Sequence, residues 1–426
     1  MRNFEIDKIG VAEIVITVWL AVLSGIFPVM IKVLSIWLLV VCLEKLVRTK
    51  DSMLFIIELF ILLYSLSPLV YFVCGYYICP YQFTDGDQYA NMMAVTQIQA
   101  LFVTIFLACL PIKKQLDFDK AVTRKSYDVA WYLTLAMMLV CFLLIDWRSI
   151  ISTLLSSGYT LERTGSILMD YYVIMALANY RYSDTKNKKI VNFGLMCLMA
   201  GATMLTGTRL PAIAIALMVY ALYIGNKIPK KIVLVLAVGG IVFMNAFQYL
   251  RTFTIPTLTD ILLGNYDATT NMVRSNAGDV WYASEAIYKL IHTGVFDWAF
   301  RIKSFLGTFL NAFLPTSLTP PEALVNVYIT ENKLIPYTNN GGLIGVSTYL
   351  WGGYIGTAVC AVILAKLLGY AYSHQKEGWM YVSLLMLVTF PRWYSYNPRI
   401  LFKFAFVGIV IIIIGKIASR LSARKI

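Results

Sequence analysis

The sequence predicts an all-α polytopic membrane protein. Of its 426 residues, 59% are hydrophobic, the mean hydropathy is +0.71, and apolar stretches long enough to cross a bilayer recur from one end to the other. Every second connection between these stretches is rich in lysine. The net charge of +13 is therefore attributed to membrane topology, and nucleic acid is not expected as a partner, because the charges never form a contiguous basic stripe.

About twelve transmembrane helices are predicted. The first apolar run, residues 9–47, is nearly twice as long as ~30 Å of hydrocarbon requires at about 1.5 Å per residue, so it is expected to form two helices that turn near Pro28. No small-residue cleavage site interrupts this run, which favours a retained helical pair over a signal peptide. Further spans are expected at residues 53–73, 89–110, 129–145, 166–180, 190–206, 209–225, 232–250, 341–370, 378–391 and 400–418.

The lysine-rich connections predict that both termini are cytoplasmic. These connections contain Lys45, Arg48 and Lys50; Lys113, Lys114, Lys120, Arg124 and Lys125; Arg181, Lys186, Lys188 and Lys189; Lys227, Lys230 and Lys231; and Lys416, Arg420, Arg424 and Lys425. The chain then divides into transmembrane helices 1–9 in residues 1–250, a large external loop with partly helical structure in residues 251–340, and helices 10–12 with a cytoplasmic tail in residues 341–426.

The external loop carries the candidate acid and base residues. It mixes charged side chains with aromatic rings, as carbohydrate sites do, although an interfacial aromatic belt has the same composition. Residues 284–293 read as helical, which places Glu285, Lys289 and His292 on one helix face. A carboxylate beside an imidazole can transfer protons, whereas the alternative is a solvated polar face with one ion pair.

The basic residues differ by type between the two predicted sides. Cytoplasmic segments contain 17 Lys and 6 Arg, whereas external segments contain 8 Arg and 3 Lys. Because guanidinium binds phosphate through two parallel hydrogen bonds, external arginines indicate a phosphate-bearing ligand, and anchoring to lipid phosphates is the alternative. The candidate diphosphate-binding residues lie at helix ends and in the external loop: Arg209, Arg251, Arg274, Arg301, Arg392 and Arg399.

Two further segments border the last spans. Residues 307–315, GTFLNAFLP, are predicted to form an amphipathic re-entrant or interfacial segment that ends at proline. Residues 341–356, GGLIGVSTYLWGGYIG, open a span with six glycines. Such small residues allow close helix packing, or allow a lipid chain to lie against the backbone.

In this order, the motifs TGTRLPA, QYLR, GTFLNAFLP, GGLIGVSTYLWGGYIG and PRWYSYNPR resemble those of the Wzy-type oligosaccharide repeat-unit polymerases of O-antigen and capsule synthesis. The resemblance covers roughly residues 190–410. It implies a GT-C-like, metal-independent glycosyltransferase without cofactor, which acts on the outer face of the bacterial cytoplasmic membrane. Undecaprenyl-diphosphate-linked oligosaccharide would be its substrate, and the arginines would stabilise the leaving diphosphate. The expected general base is His292, followed by Glu285 or Asp279.

Two other functions share this chemistry. An O-antigen ligase-like transferase would use the same donor, and a flippase or transporter of lipid-linked oligosaccharide would bind the same lipid. The flippase requires charged groups along a path between leaflets, yet the acidic residues expected well inside spans are Glu13 and Glu58, both near the amino terminus. Besides the bilayer, a chain-length regulator and a separate flippase are the expected partners of a polymerase.

Overall fold

The computed structural model describes residues 7–77, 79, 83, 87–118, 128–145, 147, 166–205, 209–250, 276–314, 327–336, 338, 341–374, 377–404, 406, 410 and 413. Within these ranges, the backbone alone is described at residues 166–171, 204, 205, 209, 241–250, 276, 277, 373, 377 and 378. The secondary-structure elements formed by the described residues are all helices, and no strand is found among these residues. The protein is thus all-α, as the sequence predicts.

The helices of the amino-terminal half follow the predicted spans closely. They are α1 Lys8–Ile26, α2 Met30–Arg48, α3 Ser52–Phe72, α4 Gln88–Ala108, α5 Asp128–Leu143, α6 Ser166–Arg181, α7 Lys186–Leu205, α8 Arg209–Val219 and α9 Lys230–Leu250. A π-helical turn, Tyr220–Ile224, extends α8. The long first run breaks at Pro28 as expected, because α1 ends two residues before it and α2 begins two residues after it.

The carboxyl-terminal half contains shorter helices around one long one. They are α10 Asn276–His292, α11 Trp298–Phe313, α12 Val327–Leu334, α13 Ile344–His374, α14 Glu377–Val388 and α15 Phe390–Ser395. Within α13, the backbone leaves helical geometry at Gly352 and Gly353, so two helical segments meet there at a kink. The predicted final span, residues 400–418, is described only in part, and residues 399–404 are helical.

Helix α1 has its polar residues inside and its apolar residues outside. The buried positions are Gly10, Glu13, Thr17 and Ser24. By contrast, Val15, Trp19 and Val22 are at least half exposed. In water this arrangement would leave an apolar face uncovered, whereas in a bilayer the exposed face meets acyl chains and the polar face binds neighbouring helices.

Within the described ranges, five helical stretches are long and apolar enough to cross a membrane. They are Lys8–Ile26, Ser52–Phe72, Gln88–Ala108, Leu210–Lys227 and Ile344–Tyr372. Two shorter apolar helices, Asp128–Leu143 and Trp379–Val388, accompany them. The chain is therefore a multi-pass membrane protein.

The chain forms two compact units. Unit 1 comprises residues 1–116, 274–375 and 389–406, and unit 2 comprises residues 117–273, 376–388 and 407–426. The middle of the chain is thus inserted between two parts of unit 1. Of the predicted external loop, residues 251–273 belong to unit 2, and the rest, which contains α10, α11 and α12, belongs to unit 1.

Contacts in unit 1 group the predicted cytoplasmic segments with one another. Lys50 donates its N–H to the carbonyl of Ile112 at 2.8 Å. Asp51 caps α3 by accepting from the N–H groups of residues 53 and 54, and it also accepts from the hydroxyl of Tyr372 at 3.1 Å. Arg48 pairs with Asp7 just before α1. The starts and ends of five helices, α1, α2, α3, α4 and α13, therefore meet at this end of the unit.

The predicted external segments meet one another as well. The N–H of Gly342, just before α13, donates to the carbonyl of Tyr396 at 3.2 Å. The N–H of Leu343 donates to the hydroxyl of Ser284 in α10 at 2.8 Å. Unit 1 thus brings α10, the entry to α13 and the turn after α15 together.

Unit 2 is held together by buried amides. Asn179 of α6 and Asn192 of α7 are fully buried, and the amide of Asn192 donates to Oδ1 of Asn179 at 2.9 Å. Asn179 also donates to Oγ1 of Thr134 in α5 at 3.0 Å, and Tyr223 donates to Oδ1 of Asn192 at 2.8 Å. Such interhelical hydrogen bonds stabilise helix pairs where hydrophobic burial is no driving force.

Candidate functional site

Helix α10 confirms the helix predicted at residues 284–293 and docks it onto unit 1. Trp281 is buried and its indole N–H donates to the carbonyl of Tyr64 in α3 at 3.0 Å. Ser284, one turn later, accepts from Leu343. These two bonds fix α10 against α3 and the start of α13, so the side chains that follow have defined surroundings.

Glu285 is fully buried beside the connection between α3 and α4. Its Oε1 accepts from the hydroxyl of Tyr77 at 3.0 Å, and its Oε2 accepts from the side-chain amide of Gln88. Burial raises the pKa of Glu285 well above its usual range, and the bond from Tyr77 offsets this only in part. A carboxyl group in this setting joins α10 to α4, and it is not a solvent-accessible base.

The other two members of the predicted face have separate surroundings. Lys289 places its ammonium 4.9 Å from the ring centre of Phe83. The imidazole of His292, exposed at the end of α10, stacks on Tyr288 at 5.9 Å between ring centres. Seven residues of helix span about 10.5 Å, so Glu285 and His292 are not hydrogen-bonded to each other. Asp279 lies half-buried in the first turn of α10.

Arg301 of α11 caps the first segment of α13. Its Nη2 donates to the carbonyl of Tyr349 at 3.0 Å, and its Nε donates to the carbonyl of Leu350. Because Gly352 and Gly353 interrupt the helix, these carbonyls lie in its last turn, where partners from the next turn are missing. Gly353 has φ +62°, a conformation that favours glycine.

This geometry changes the expectation for Arg301. The sequence predicts a diphosphate ligand, whereas in the structure two of its donors are bound to main-chain carbonyls and its guanidinium lies 3.8 Å from the ring centre of Trp298. Burial lowers the pKa of Arg301, yet a guanidinium remains charged at any relevant pH. The positive charge also interacts favourably with the negative end of the helix dipole.

Helix α11 confirms the amphipathic segment predicted at residues 307–315 and extends it toward the amino terminus. Its buried face carries Arg301, Ser304, Thr308 and Asn311. Its apolar side chains are exposed at Ile302, Phe305, Leu306, Leu310 and Phe313. As in α1, the apolar face points outward, which is the arrangement expected where a helix contacts lipid.

The first glycines of residues 341–356 are packing positions. A Cβ on Gly345 would lie 2.4 Å from Oε1 of Gln99, and one on Gly341 would lie 2.6 Å from the ring of Tyr396. One on Gly342 would lie 3.1 Å from Ile287. These three glycines therefore allow close packing, whereas Gly352 and Gly353 form the kink. The sequence analysis did not predict this kink, although a pair of glycines inside a helix is a signal for a break.

The last candidate arginines follow α14. Arg392 lies half-buried in α15, where its carbonyl accepts from the N–H groups of Tyr396 and Asn397. Arg399 is half-buried too, and its side chain lines a small cavity with residues of α10, α11, α12 and α13. Its N–H donates to Oδ1 of Asn397 at 3.0 Å. Arg392 therefore lies in the helix just before the turn that contacts the entry to α13, and Arg399 lies just after that turn.

The side chains of the other three predicted arginines are not described, so their positions relative to Arg301, Arg392 and Arg399 are not given. The backbone of Arg209 begins α8, and its side chain lies outside the described residues. Arg251 and Arg274 lie outside the described residues entirely. The shared cationic cavity predicted from the sequence remains a prediction.

Glu331 was not among the predicted site residues. It is fully buried in α12, and neither carboxylate oxygen has a hydrogen-bond partner among the described residues. Burial raises its pKa well above the usual range. In the sequence, Glu331 is a single acidic residue two positions after the apolar pair Tyr328 and Ile329. This pattern is too weak to identify Glu331 as a site residue.

Comparison with known proteins finds no match among family models, curated proteins or solved structures. Within the described ranges, no group of three His, Cys, Asp or Glu side chains could hold a metal ion. The fold and the contacts define an all-α, multi-pass membrane protein whose unit 1 brings α10, α11, α12 and the start of α13 together with the turn after α15.

Proposed function

We propose that the protein is a membrane glycosyltransferase that polymerises undecaprenyl-diphosphate-linked oligosaccharide repeat units into O-antigen or capsular polysaccharide. One observation carries the proposal beyond the motifs. Arg399 and the buried polar face of α11 border the same cavity, in the part of unit 1 where the predicted external segments meet. A cation among hydrogen-bond donors suits a diphosphate at the surface of the outer leaflet.

The proposed reaction transfers the growing glycan from its lipid diphosphate to a new lipid-linked unit. A hydroxyl at the non-reducing end of the new unit attacks the anomeric carbon of the donor. The bond from that carbon to the diphosphate oxygen breaks, undecaprenyl diphosphate leaves, and the hydroxyl proton passes to a base. Arginines stabilise the charge on the leaving diphosphate without a metal or nucleotide cofactor.

His292 remains the first candidate for the base. Its imidazole is exposed at the end of α10, and an imidazole nitrogen can accept the proton of an attacking hydroxyl. Glu285 is the weaker candidate, because its carboxyl is buried and bonded to Tyr77 and Gln88. Asp279 is the remaining carboxyl on the same helix.

The proposal includes a GT-C-like fold with about twelve spans, both termini in the cytoplasm and the site facing the periplasm or exterior of a bacterial cytoplasmic membrane. The matching of predicted and observed helix ends in α1 through α9 supports this topology. A chain-length regulator and a flippase that delivers the repeat units are the proposed partners.

The acidic residues inside the predicted spans support a polymerase over a flippase. Oε2 of Glu13 lies 2.6 Å from the ammonium of Lys45, which also pairs with Glu44. Oε1 of Glu58 accepts from the hydroxyl of Thr49 at 2.6 Å. Both carboxylates thus have local partners near the ends of α2, whereas a path between leaflets would need charged groups along its length.

Substitution of the candidate arginines tests the proposal in cells. We expect Arg209→Ala, Arg251→Ala and Arg392→Ala each to abolish long-chain polysaccharide without loss of the protein from the membrane. Lysine at the same positions should restore little polymer if bidentate binding is required. Full-length polymer from all three alanine variants would contradict the arginine-based mechanism.

A further inference from the structure

The cavity next to Arg399 has an unusual balance of hydrogen-bonding groups. Ser304 of α11 is 1% exposed, and its Oγ has no hydrogen-bond partner among the described residues. Trp351, the last residue before the kink in α13, has a buried indole N–H that is likewise without a partner there. Both residues line the cavity. Two buried groups thus border it with their donor hydrogens unused.

The other hydroxyl groups of the wall already have partners, and so does one amide oxygen. The hydroxyls of Tyr328 and Ser347 are bonded to each other at 2.6 Å. Thr308 donates to the carbonyl of Ser304 at 2.8 Å, and Oδ1 of Asn397 accepts from the N–H of Arg399. The lining includes no carboxylate. The wall therefore offers a ligand two buried, unused donors, next to the cationic residue Arg399.

Leaving buried donors unused costs free energy, about 1–3 kcal/mol for each group. The cost is removed when an acceptor enters. The empty space measures about 340 Å³ when open solvent is included, and within it there is room for about one water-sized group. The occupant that fits is a single oxygen atom attached to a larger group outside.

We propose that this cavity binds a non-bridging oxygen of a phosphate or diphosphate ester. Ser304 and Trp351 donate to that oxygen, and Arg399 compensates its charge from the mouth. The inference rests on the proposed function, and it names a serine and a tryptophan as ligands beside the arginines. A phosphoryl oxygen fits better than a water or a sugar hydroxyl, because those bring hydrogens that need acceptors and the wall offers few.

Binding to the full-length protein tests the site without requiring activity. The purified chain is kept in dodecyl maltoside micelles, whose headgroup carries no phosphate, and is titrated with geranyl diphosphate by calorimetry, with geraniol as the uncharged control. Ser304→Ala and Trp351→Phe each remove one donor and little else. We expect each to weaken binding by roughly tenfold or more, as for a hydrogen bond to a charged group, with thermal stability unchanged or raised.

Two variants serve as matched controls. Ser35→Ala removes a buried hydroxyl that donates to the carbonyl of Ile31 at 2.8 Å, and Trp19→Phe changes an indole that is 64% exposed. Both should bind geranyl diphosphate as the wild type does. In protein labelled with 5-fluorotryptophan, the fluorine resonance absent from Trp351→Phe should shift when geranyl diphosphate is added and stay unchanged with geraniol.

Two further arms identify the source of the phosphate. Competition by inorganic diphosphate would assign the site to the diphosphate itself, and competition by phosphatidylglycerol added to the micelles would assign it to a lipid headgroup. Either result supports the site. The absence of binding to the wild type, or equal binding by both donor variants, would overturn it and would indicate an ordered water only. Polymer synthesis by variants that bind normally would leave the proposed function intact while refuting this site.

Discussion

The hydroxyl of Tyr77 donates a hydrogen bond to Oε1 of Glu285 at 3.0 Å, across 208 residues of chain. With the bond from Gln88, it gives the carboxyl two partners in a fully buried setting. Burial raises the pKa of Glu285 well above its usual range, so the folded protein binds this proton more tightly than the unfolded chain does. This bond joins the connection between α3 and α4 to α10, which carries His292.

Glu285→Gln should preserve stability at neutral pH and reduce its pH dependence. An unfolded glutamate has a pKa of about 4.3, so the folded state binds more protons between that value and the raised pKa. Stability from this group is therefore fully present below about pH 4.3 and is lost as pH rises through the folded pKa. Thermal unfolding in detergent at pH 5 and pH 8 should show a smaller decline for Glu285→Gln than for the wild type.

Glu285→Ala provides the contrast at this position. It leaves Tyr77 and Gln88 without their partner and opens a small void, so we expect a loss of about 2–4 kcal/mol. A glutamine variant as unstable as the alanine variant would contradict the raised pKa of this hydrogen-bonded carboxyl.

Glu331→Leu should stabilise the protein. The carboxyl of Glu331 is buried without a hydrogen-bond partner among the described residues, and replacing such a group with an apolar side chain of similar size removes its desolvation cost, for a gain of roughly 1–3 kcal/mol. The unfolding midpoints of Glu331→Leu and Glu331→Gln at pH 7 provide the measurement. A leucine variant less stable than the glutamine variant would mean that the carboxyl has a stabilising partner.

Arg301→Lys should destabilise unit 1 almost as much as Arg301→Gln. The guanidinium reaches the carbonyls of both Tyr349 and Leu350, whereas an ammonium is a single point charge without the planar fork. We expect a loss of about 2–3 kcal/mol from either change. Lys303→Gln, an exposed neighbour on α11, is the control and should unfold like the wild type. Wild-type stability of Arg301→Lys would show that charge alone caps the segment.

Gly345→Ala should destabilise α13, because its Cβ would lie 2.4 Å from Oε1 of Gln99 and 3.5 Å from the Gln99 backbone. Overpacking of this kind costs about 1–3 kcal/mol. Gly194→Ala is the matched control: it lies inside α7, and a Cβ added there would meet nothing within 4 Å, so it should gain up to about 1 kcal/mol from helix propensity. Equal effects at the two glycines would contradict close packing at Gly345.

Local features of this fold were predictable from the sequence. The turn at Pro28 and the bounds of most helices follow from apolar run length and from the charges between the runs, which are properties of neighbouring residues. Asp51 shows why boundaries can be read in this way, since its carboxylate caps the α3 backbone two and three residues further along. The amphipathic pattern likewise located α10 and α11.

The chemistry of the candidate site was less predictable, because it depends on distant partners. Periodicity placed Glu285 and His292 on one face, but it could not reveal that Tyr77 and Gln88 bury the carboxyl. The sequence analysis grouped Arg301 with the other arginines of the predicted external segments. Its contacts with α13, however, depend on a kink about 50 residues further along the chain. The unused donors of Ser304 and Trp351 emerge only when α11 and α13 pack together.

Reconstitution tests the proposed function most directly. Purified protein in liposomes is given a synthetic repeat unit on a polyprenyl diphosphate, and the products are separated by length. We expect a ladder of oligomers that differ by one repeat unit, with release of one polyprenyl diphosphate for each bond formed. Unchanged substrate, from protein that remains folded and binds geranyl diphosphate, would contradict polymerisation.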